Sequence, residues 1–318
     1  MFKRNRSNPI LSPKDIIFDQ PELKDVSSVF NPGGIKIDDQ IHLLLRVQNR
    51  GRETFTLKAS SDDGIHFNIH PKPVQFMGIE KTGETIFHIY DPRITQIDQT
   101  IYVVAAVDVV GKCLLALFKT SDLIHLNFLG FTGNDDIRNG VLFPEKINGK
   151  YAMFDRPNKK SVDSGTTTGS AIGYSESDDL KTWTLKERVM EGRLHFWDEF
   201  IGAGPPPIKT KQGWLLIYHG IAMHYQPIYQ AGVALLDLHE PWKVISRGRY
   251  NILEPRELWE MVGQVPNVVF PTACIVDDAD KNGFANPSSP AQLYYGAADT
   301  HIGLATTTIQ ELIDACMV

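Results

Sequence analysis

Charged and polar side chains end several apolar segments of this sequence at similar distances from a recurring proline. Arg46, Arg156 and His219 follow a proline by 14, 12 and 12 residues. Asp299 follows Pro271 by 28 residues, or about 14 when a polar insertion is discounted. A charged group at the end of an apolar strand costs free energy unless it is paired or bound to a ligand. The repetition therefore indicates a shared binding pocket, although salt bridges between repeated units would also explain it.

Other candidate residues lie close to these along the chain. Asp91 and Arg93 flank a proline, and segment 135–140 combines two acids with an arginine. The segment 201–207 is rich in Gly and Pro, which would let a ligand approach the backbone closely, although most such segments are turns. A loop shortly after His219 carries His224, Tyr225 and Tyr229. All of these residues point to the same pocket.

Composition and motifs exclude several classes of protein. The 318 residues carry a formal net charge of −6 and no basic block, so we expect no nucleic-acid or membrane partner. The sequence has no Walker loop, no GxGxxG fingerprint, no HExxH and no GxSxG motif. The histidines form no i, i+4 pair and the three cysteines form no CxxC, so we expect neither a metal site nor disulfide bonds.

The N-terminal segment and the apolar stretches favour a soluble cytoplasmic protein. The first six residues are basic, but a polar segment with two prolines follows them instead of the apolar core of a signal peptide. The longest apolar stretches, such as 101–110, are too short to span a bilayer. Widely spaced, unpaired cysteines are typical of a reducing compartment. The sequence leaves association into a homo-oligomer open.

The elements that must position the candidate residues are short strands. Runs rich in β-branched, aromatic and leucine residues are each bounded by Gly, Asp, Asn or Pro. These runs are 41–47, 54–59, 101–107, 114–119, 151–154, 170–174, 214–218, 232–236 and 292–295. Helical periodicity is scarce and clearest at the C-terminus, where a capping box from Thr308 to Glu311 predicts a short helix through Ala315.

Two sequence markers recur with a period near 60 residues. A Ser–Asp turn followed by a large apolar residue places aspartates 60, 56 and 59 residues apart, at Asp62, Asp122, Asp178 and, in a degenerate copy, Asp237. A proline ahead of a strand pair recurs at Pro32, Pro92, Pro144, Pro207 and Pro271. Five units of four strands match the blades of a propeller, although Ser–Asp turns also recur by chance in β proteins. We predict an all-β, five-bladed β-propeller that forms one domain over residues 1–318, with a surface loop at 277–290.

A series of short motifs runs through the chain in a fixed order. They are 29–32 (VFNP), 43–46 (LLLR), 91–93 (DPR), 142–145 (LFPE), 156–157 (RP), 202–207 (GAGPPP), 213–220 (GWLLIYHG), 232–237 (GVALLD) and 267–271 (NVVFP). In this order, from Asn8 to Asp299, the sequence resembles glycoside hydrolase family 130, the β-mannoside phosphorylases and related mannosidases. One departure is Tyr90, because the family usually has Glu before Asp-Pro-Arg, and we expect this change to alter contacts with the acceptor sugar.

The resemblance implies a five-bladed propeller that cleaves a β-mannosidic bond with inversion. It implies that Asp91 is the general acid, whose proton reaches the leaving group through the 3-hydroxyl of mannose. The residues expected to bind the sugar substrate are Asn31, Arg46, Tyr90, Arg93, Asp155 and Asp299. The residues that match phosphate-binding positions are Arg138, Asn139, Arg156, His219 and Tyr229.

The chemistry of the matched positions favours phosphorolysis over hydrolysis. An inverting hydrolase needs a second carboxylate to activate water, whereas phosphate is already nucleophilic and needs cations around it. The planar fork of arginine suits a phosphate oxyanion, so we expect inorganic phosphate as co-substrate and no cofactor. A β-mannosidase of the same family and a non-catalytic carbohydrate-binding propeller remain alternatives. The linkage, β-1,2 or β-1,4, and the acceptor sugar stay open.

Overall fold

The computed structural model describes residues 2–18, 20–158, 169–223 and 225–318 of the chain. One candidate of the sequence analysis, His224, lies outside these residues. Within them, the strands form five sheets, and the innermost strands of these sheets lie around a common axis. This arrangement is a five-bladed β-propeller, which confirms the predicted fold.

The strands follow one another from blade to blade in chain order. A short strand, β1 (Lys3–Arg4), precedes the first blade. Blade 1 contains β2 (Val26–Ile37), β3 (Gln40–Asn49), β4 (Thr54–Ser61) and β5 (Asn68–Pro73). Blade 2 contains β6 (Gln75–Met77), β7 (His88–Ile97), β8 (Thr100–Val109), β9 (Lys112–Thr120) and β10 (His125–Phe131). In blade 2, β7 is innermost and β6 pairs in parallel with the outer strand β10.

The remaining blades follow the same plan. Blade 3 contains β11 (Ile137–Leu142), β12 (Tyr151–Pro157), β13 (Ala171–Ser177) and β14 (Thr184–Glu191). Blade 4 contains β15 (Phe200–Ala203), β16 (Ile208–Thr210), β17 (Gly213–Ala222), β18 (Ile228–Leu236) and β19 (Val244–Arg247). Blade 5 contains β20 (Val269–Val276), β21 (Pro290–Ala297) and β22 (His301–Thr308).

Helices are few and short in the described residues. The α-helices are α1 (Leu258–Met261) and α2 (Ile309–Cys316), and the 3-10 helices are Pro13–Asp15, Pro21–Leu23 and Ile79–Thr82. The predicted C-terminal helix is confirmed, because the Thr308 hydroxyl accepts a hydrogen bond from the Glu311 backbone N–H at the start of α2. The predicted loop 277–290 joins β20 to β21. None of the described helices is long and apolar enough to cross a membrane.

The N-terminus supplies the outer strand of blade 5 and so closes the ring. Strand β1 pairs antiparallel with β22, with Lys3 opposite Thr306 and Arg4 opposite Ala305. The Arg4 guanidinium donates two hydrogen bonds to the carboxylate of Glu260, at 2.8 and 2.7 Å, and the Glu260 side chain is completely buried. The ring is therefore held shut by a sheet contact and a buried ion pair between residues 256 positions apart.

The Ser–Asp turns join the last two strands of blades 1 to 4. In each turn one aspartate Oδ1 accepts hydrogen bonds from two backbone N–H groups that follow it, and these aspartates are Asp63, Asp122, Asp179 and Asp237. The equivalent residues are thus 59, 57 and 58 positions apart, a more regular spacing than the alignment of Asp62 and Asp178 gave. Blade 5 has no such turn because its outer strand comes from the N-terminus.

Apolar side chains fill the spaces between neighbouring blades. Buried residues of neighbouring blades belong to the same hydrophobic clusters, for example Leu44 with Val103, Leu115 with Met153, Phe154 with Trp214, Val233 with Leu293, and Tyr294 with Leu43. The inner strands of each blade are therefore covered on both faces, and all ten residues of β17 are buried. This double burial explains why the strands read as continuous apolar runs rather than as alternating patterns.

Removing the ion pair that closes the ring should destabilise the protein. In Arg4→Ala, the buried carboxylate of Glu260 loses its cation, which we expect to lower the free energy of unfolding by about 3 kcal/mol. Chemical denaturation monitored by tryptophan fluorescence measures the change. Arg50→Ala is the control, because its pair with Asp25 at 3.4 Å is largely exposed and contributes about 0–1 kcal/mol. Equal effects of the two substitutions would contradict a closing role for Arg4.

Candidate active site

An extra residue interrupts the innermost strand at the same place in three blades. The pairing register shifts after Phe30 in β2, after Tyr90 in β7 and after Arg138 in β11. The residue that follows in each case has a left-handed backbone, with φ of 45° at Asn31, 52° at Asp91 and 53° at Asn139. Asn and Asp tolerate this conformation better than other non-glycine residues. Bulges of this kind re-aim side chains, and here the side chains of Asn31 and Asp91 are hydrogen bonded to each other across two blades.

Three of the candidate residues lie on the second strand of their blade. Arg46 lies on β3 opposite Phe30, Arg156 lies on β12 opposite Arg138, and His219 lies on β17 opposite Gly202. Prolines 32, 92 and 271 lie inside the innermost strands, whereas the sequence analysis placed a proline ahead of each strand pair. The candidate residues therefore come from both inner strands of these blades.

Asp91 is held by two donors from blade 1. The amide Nδ2 of Asn31 and the Nη1 atom of Arg46 donate to the same carboxylate oxygen, Asp91 Oδ1, at 3.0 and 2.9 Å. The Asp91 side chain is 13% exposed, so its free oxygen still has access to a ligand. Asp299, in the turn between β21 and β22, is half-buried and lies near Arg46 and Asp91. Burial raises the pKa of Asp299 to about 6, with Arg46 opposing the shift and Asp91 adding to it.

Arg46 is fixed by aromatic rings as well as by Asp91. The carbon at the centre of its guanidinium lies 4.5 Å from the ring centre of Phe30 and 4.4 Å from that of Tyr90. Cation–π contacts of this length stabilise a guanidinium in one orientation. The Arg46 side chain therefore reaches Asp91 in a defined geometry, between two rings that the sequence analysis did not assign to it.

Arg93 is buried and anchors the backbone around Asp91. Its side chain is 1% exposed, and it donates to the carbonyl of Gly204 at 2.9 Å and to the carbonyl of Asp91 at 3.1 Å. Burial lowers the pKa of Arg93 to about 10, with the nearby Asp91 opposing the shift. Arg93 thus connects the innermost strand of blade 2 to blade 4. Its predicted contact with the sugar stays a prediction.

Blades 3 and 4 contribute a group of basic residues. Arg138 and Arg156 are opposite each other in the β11–β12 ladder. Burial lowers the pKa of Arg156 to about 10, and the neighbouring charge of Arg138 adds to this effect. Burial likewise holds the pKa of His219 well below its usual range, with Arg156 and Arg93 contributing. His219 is therefore a neutral imidazole beside two guanidinium groups.

The residues around His219 leave polar atoms unsatisfied. Within the described residues, neither ring nitrogen of His219 nor the Oδ1 atom of Asn139 has a hydrogen-bond partner, although all three atoms are buried. The His219 ring packs on Phe270, 4.6 Å away, and stacks on Tyr229 at 6.1 Å. Buried polar groups normally have partners. A cluster of unsatisfied polar atoms together with two arginines is the arrangement expected of a site that binds an oxyanion.

Glycines make room for these side chains. A Cβ atom on Gly202 would lie 2.4 Å from His219 Cε1 and 2.7 Å from Asn139 Oδ1. A Cβ atom on Gly296 would lie 1.9 Å from Asn31 Oδ1. The close approach at Gly202 has a signal in the sequence, because Gly202 belongs to the Gly- and Pro-rich segment 201–207. In the structure this glycine lies opposite His219. Gly296, Phe30 and Phe270 carried no such signal, and sequence reasoning missed them.

Asp155 lies apart from the other predicted sugar-binding residues. Its Oδ2 atom accepts a hydrogen bond from the Ser175 hydroxyl at 2.8 Å, and its Oδ1 atom faces Gly173. Burial raises the pKa of Asp155 to about 6. No contact found among the described residues joins it to Asn31, Asp91 or Asp299. Its predicted role in sugar binding therefore stays a prediction.

The site thus has two halves at the axis of a five-bladed propeller, an acid held by blade 1 and a buried basic cluster from blades 3 and 4. In the part of the chain that the structure describes, no group of three or more His, Cys, Asp and Glu side chains could hold a metal ion. Tyr229 stacks on His219, and burial raises the pKa of its phenol, with Arg156 opposing the shift and Asp299 adding to it. A carboxyl group together with a cluster of guanidinium groups is typical of an enzyme site that binds an anionic reactant.

Comparison with known proteins identifies the family. A family model described as beta-1,4-mannooligosaccharide phosphorylase matches residues 2–318. The chain belongs to this family, glycoside hydrolase family 130.

Individual relatives agree with this assignment. The chain is 36% identical to a beta-1,4-mannooligosaccharide phosphorylase of Ruminococcus albus, over 98% of this chain and 89% of the relative. It is 33% identical to a 1,2-beta-oligomannan phosphorylase of a Thermoanaerobacter species, over 98% of each chain. The structure is similar to that of the beta-1,2-mannobiose phosphorylase of Listeria innocua in complex with beta-1,2-mannobiose. The TM-score is 0.84, with 26% identity and 99% of each chain covered.

A methyl group at Gly296 should disturb Asp91 indirectly. In Gly296→Ala, the new carbon would collide with Asn31 Oδ1 and push the amide away from Asp91. Misplacing a catalytic group by about 1 Å can cost about 100-fold in rate, so we expect kcat to fall about 10- to 100-fold. Gly133→Ala is the matched control, since nothing lies within 4 Å of its added carbon. Steady-state kinetics of the two variants should therefore differ, and equal rates would contradict the contact.

Proposed function

We propose that this protein is an inverting phosphorylase that cleaves a β-mannoside with inorganic phosphate and releases α-mannose 1-phosphate. The observation that carries the proposal is the cluster of Arg138, Arg156, Asn139 and His219, in which Asn139 Oδ1 and both ring nitrogens of His219 are unsatisfied. A cluster of this kind has a physical purpose only if an oxyanion enters it. The names of the relatives, which are mannoside phosphorylases, support the same reaction.

Asp91 is suited to donate a proton to the departing sugar. Because Asn31 and Arg46 both donate to Oδ1, the acidic proton is carried by the other oxygen, Oδ2. That proton passes to the glycosidic oxygen, directly or through the 3-hydroxyl of mannose as the family resemblance implies. The bond between the anomeric carbon and this oxygen then breaks, and the acceptor sugar leaves with a neutral hydroxyl group.

The basic cluster is suited to hold the nucleophile. Arg138 and Arg156 neutralise phosphate, whose oxygen attacks the anomeric carbon from the face opposite the leaving group, which inverts the configuration. His219 stays neutral, so it orients phosphate through a hydrogen bond rather than through charge. Asn139 and Tyr229 supply further hydrogen-bonding groups. Asn31, Arg46 and Asp299 would hold the mannose, together with Asp155 and Arg93 as predicted from the sequence.

We also propose that residues 1–318 work as one catalytic domain in the cytoplasm, without a metal or other cofactor. Sugar and phosphate are then the only ligands that the reaction needs. Light scattering coupled to size-exclusion chromatography tests the association into homo-oligomers that the sequence left open. The linkage is tested directly, by offering β-1,2- and β-1,4-mannobiose in separate reactions.

Phosphate dependence distinguishes the phosphorylase from a hydrolase. We expect wild-type protein to release mannose 1-phosphate from a mannobiose only when phosphate is present. Removing the fork of Arg138 or Arg156 by alanine substitution takes away a charge-assisted contact worth roughly 1.5–3 kcal/mol. The apparent phosphate KM should therefore rise about 10- to 100-fold, and lysine should restore only part of the loss.

A matched control separates this effect from a general loss of charge. Arg188→Ala removes an exposed arginine on the outer strand of blade 3, paired with Glu191 at 3.2 Å, and should leave the phosphate KM unchanged. Mannose binding without phosphate should change little in the Arg138 and Arg156 variants. Release of free mannose at the same rate with and without phosphate would overturn the phosphorylase and favour the β-mannosidase.

Asp91→Asn should abolish turnover while the fold is kept. The amide can still accept hydrogen bonds from Asn31 and Arg46 through its oxygen, but it has no acidic proton to give. General acid catalysis contributes about 10²–10⁴-fold, so we expect kcat to fall by at least that factor. Circular dichroism and binding of mannose by calorimetry verify that folding and sugar affinity persist. Near-normal turnover in a folded Asp91→Asn protein would remove Asp91 as the acid.

A further inference from the structure

Tyr90 is enclosed by protein rather than open to a ligand. Its side chain is 6% exposed, and its residue precedes Asp91 on the innermost strand of blade 2. Burial raises the pKa of its phenol, with Cys113 as the next contribution, so the hydroxyl stays protonated and donates a hydrogen bond. A ring that stacks on an acceptor sugar needs an open face, and the contacts of Tyr90 leave little of it open.

Guanidinium groups from both halves of the site lie over the Tyr90 ring. The guanidinium carbon of Arg46, which binds Asp91, lies 4.4 Å from the ring centre. The guanidinium carbon of Arg138, in the basic cluster, lies 6.0 Å from the same centre. Tyr90 is thus within cation–π distance of one arginine from each half.

The hydroxyl of Tyr90 donates a hydrogen bond to a carboxylate that also faces Arg138. Tyr90 donates to Asp108 Oδ1 at 2.8 Å, and Arg138 Nη2 lies 3.6 Å from the same oxygen. The other oxygen of Asp108 lies 3.6 Å from Nδ1 of His88, its partner across the β7–β8 ladder. Cys113, opposite Asp108 on β9, lies 3.7 Å from the Tyr90 hydroxyl. Asp108 therefore accepts a hydrogen bond from the Tyr90 phenol and pairs with the guanidinium of Arg138 through the same oxygen.

We propose that Tyr90 is a positioning residue that fixes Arg46 on the acid side and Arg138 on the phosphate side at a set separation, and that it does not bind the acceptor sugar. This inference rests on the proposed function, because it assigns the two arginines to the two reactants. Its ring orients Arg46, and its hydroxyl holds Asp108 in place to receive Arg138. A neutral phenol does this without adding a negative charge that would compete with phosphate for Arg138.

The separation of the two arginines matters because the reaction is a displacement in line. Phosphate must approach the anomeric carbon on the face opposite the oxygen that Asp91 protonates, so the acid and the anion site must keep a fixed distance. Reacting atoms need to lie about 3–3.5 Å apart before reaction. A rigid ring that lies within cation–π distance of a guanidinium from each half restricts the separation of the two arginines more than two independent side chains would.

Two substitutions at Tyr90 separate the kinetic effect of the hydroxyl from that of the ring. Tyr90→Phe keeps the ring beside Arg46 and removes the bond to Asp108, so we expect the phosphate KM to rise about 3- to 10-fold with kcat within about twofold of wild type. Tyr90→Leu also removes the ring, so we expect kcat to fall at least 10-fold in addition. Tyr294→Phe is the matched control, because it removes a buried phenol bond of 2.9 Å to the carbonyl of Gly64, in a turn of blade 1, and should change neither constant.

The kinetic pattern decides between positioning, sugar contact and packing. Thermal unfolding is measured for all three variants, and the acceptor KM is measured in the synthetic direction. A rise in the acceptor KM alone in both Tyr90 variants would overturn the proposal in favour of a sugar contact. A lower Tm in Tyr90→Phe and Tyr90→Leu with unchanged KM and kcat would overturn it in favour of packing.

The same experiment distinguishes a failure of this inference from a failure of the proposed function. If wild-type protein cleaves mannobiose without any dependence on phosphate, the phosphorylase assignment fails, and with it the part of the proposal that concerns Arg138. If wild-type turnover requires phosphate and the Tyr90 variants keep the wild-type constants, only the positioning role of Tyr90 is overturned.

Discussion

Closure of the ring is the constraint on which the whole site depends. Each blade contributes one or more side chains at the axis, so the acid and the basic cluster face each other only when blade 5 meets blade 1. That junction uses the two-residue strand β1 and the ion pair between Arg4 and Glu260. Glu260 also accepts a hydrogen bond from the Tyr295 hydroxyl, and its backbone carbonyl accepts one from the N–H of Val268. The carbonyl of Val268 in turn accepts a hydrogen bond from the N–H of Ala298, the neighbour of Asp299. The closing contact therefore continues by hydrogen bonds into the active site.

The three bulges change the direction of side chains on the innermost strands of blades 1 to 3. A strand alternates its side chains between two faces, and both faces of an inner blade strand are covered by neighbouring blades. A residue in the left-handed region leaves this alternation, and Asn31, Asp91 and Asn139 do so at the axis. Backbone conformations of this kind cost free energy and persist where the surrounding structure fixes them. The backbone thus positions the Asp91 carboxyl group, the proposed general acid, before any ligand contacts it.

The electrostatics of the site differ between its two halves. Arg46 pairs with the Asp91 carboxyl, whereas Arg156 lies near a second cation, Arg138, and a neutral imidazole, His219. Cations that lie close together are favourable only where anions join them, and Arg138 already faces Asp108 at 3.6 Å. This half of the site therefore suits an anionic ligand, as the proposed function requires. Tyr90 lies at the border of the two halves and adds no charge to either.

The five-bladed architecture was predictable from the sequence, and the candidate residues were named from their spacing and the family resemblance. Continuous apolar runs predicted the strands because blades are buried on both faces, and markers spaced about 60 residues apart gave five blades because each blade repeats one pattern of turns. The placement of Arg46, Arg156 and His219 on second strands, and the burial of Arg93 and Tyr90 among other side chains, became known only from the folded chain. A bulge, a ring contact or a close approach to Gly296 depends on residues from different blades, and no local pattern in the chain records it.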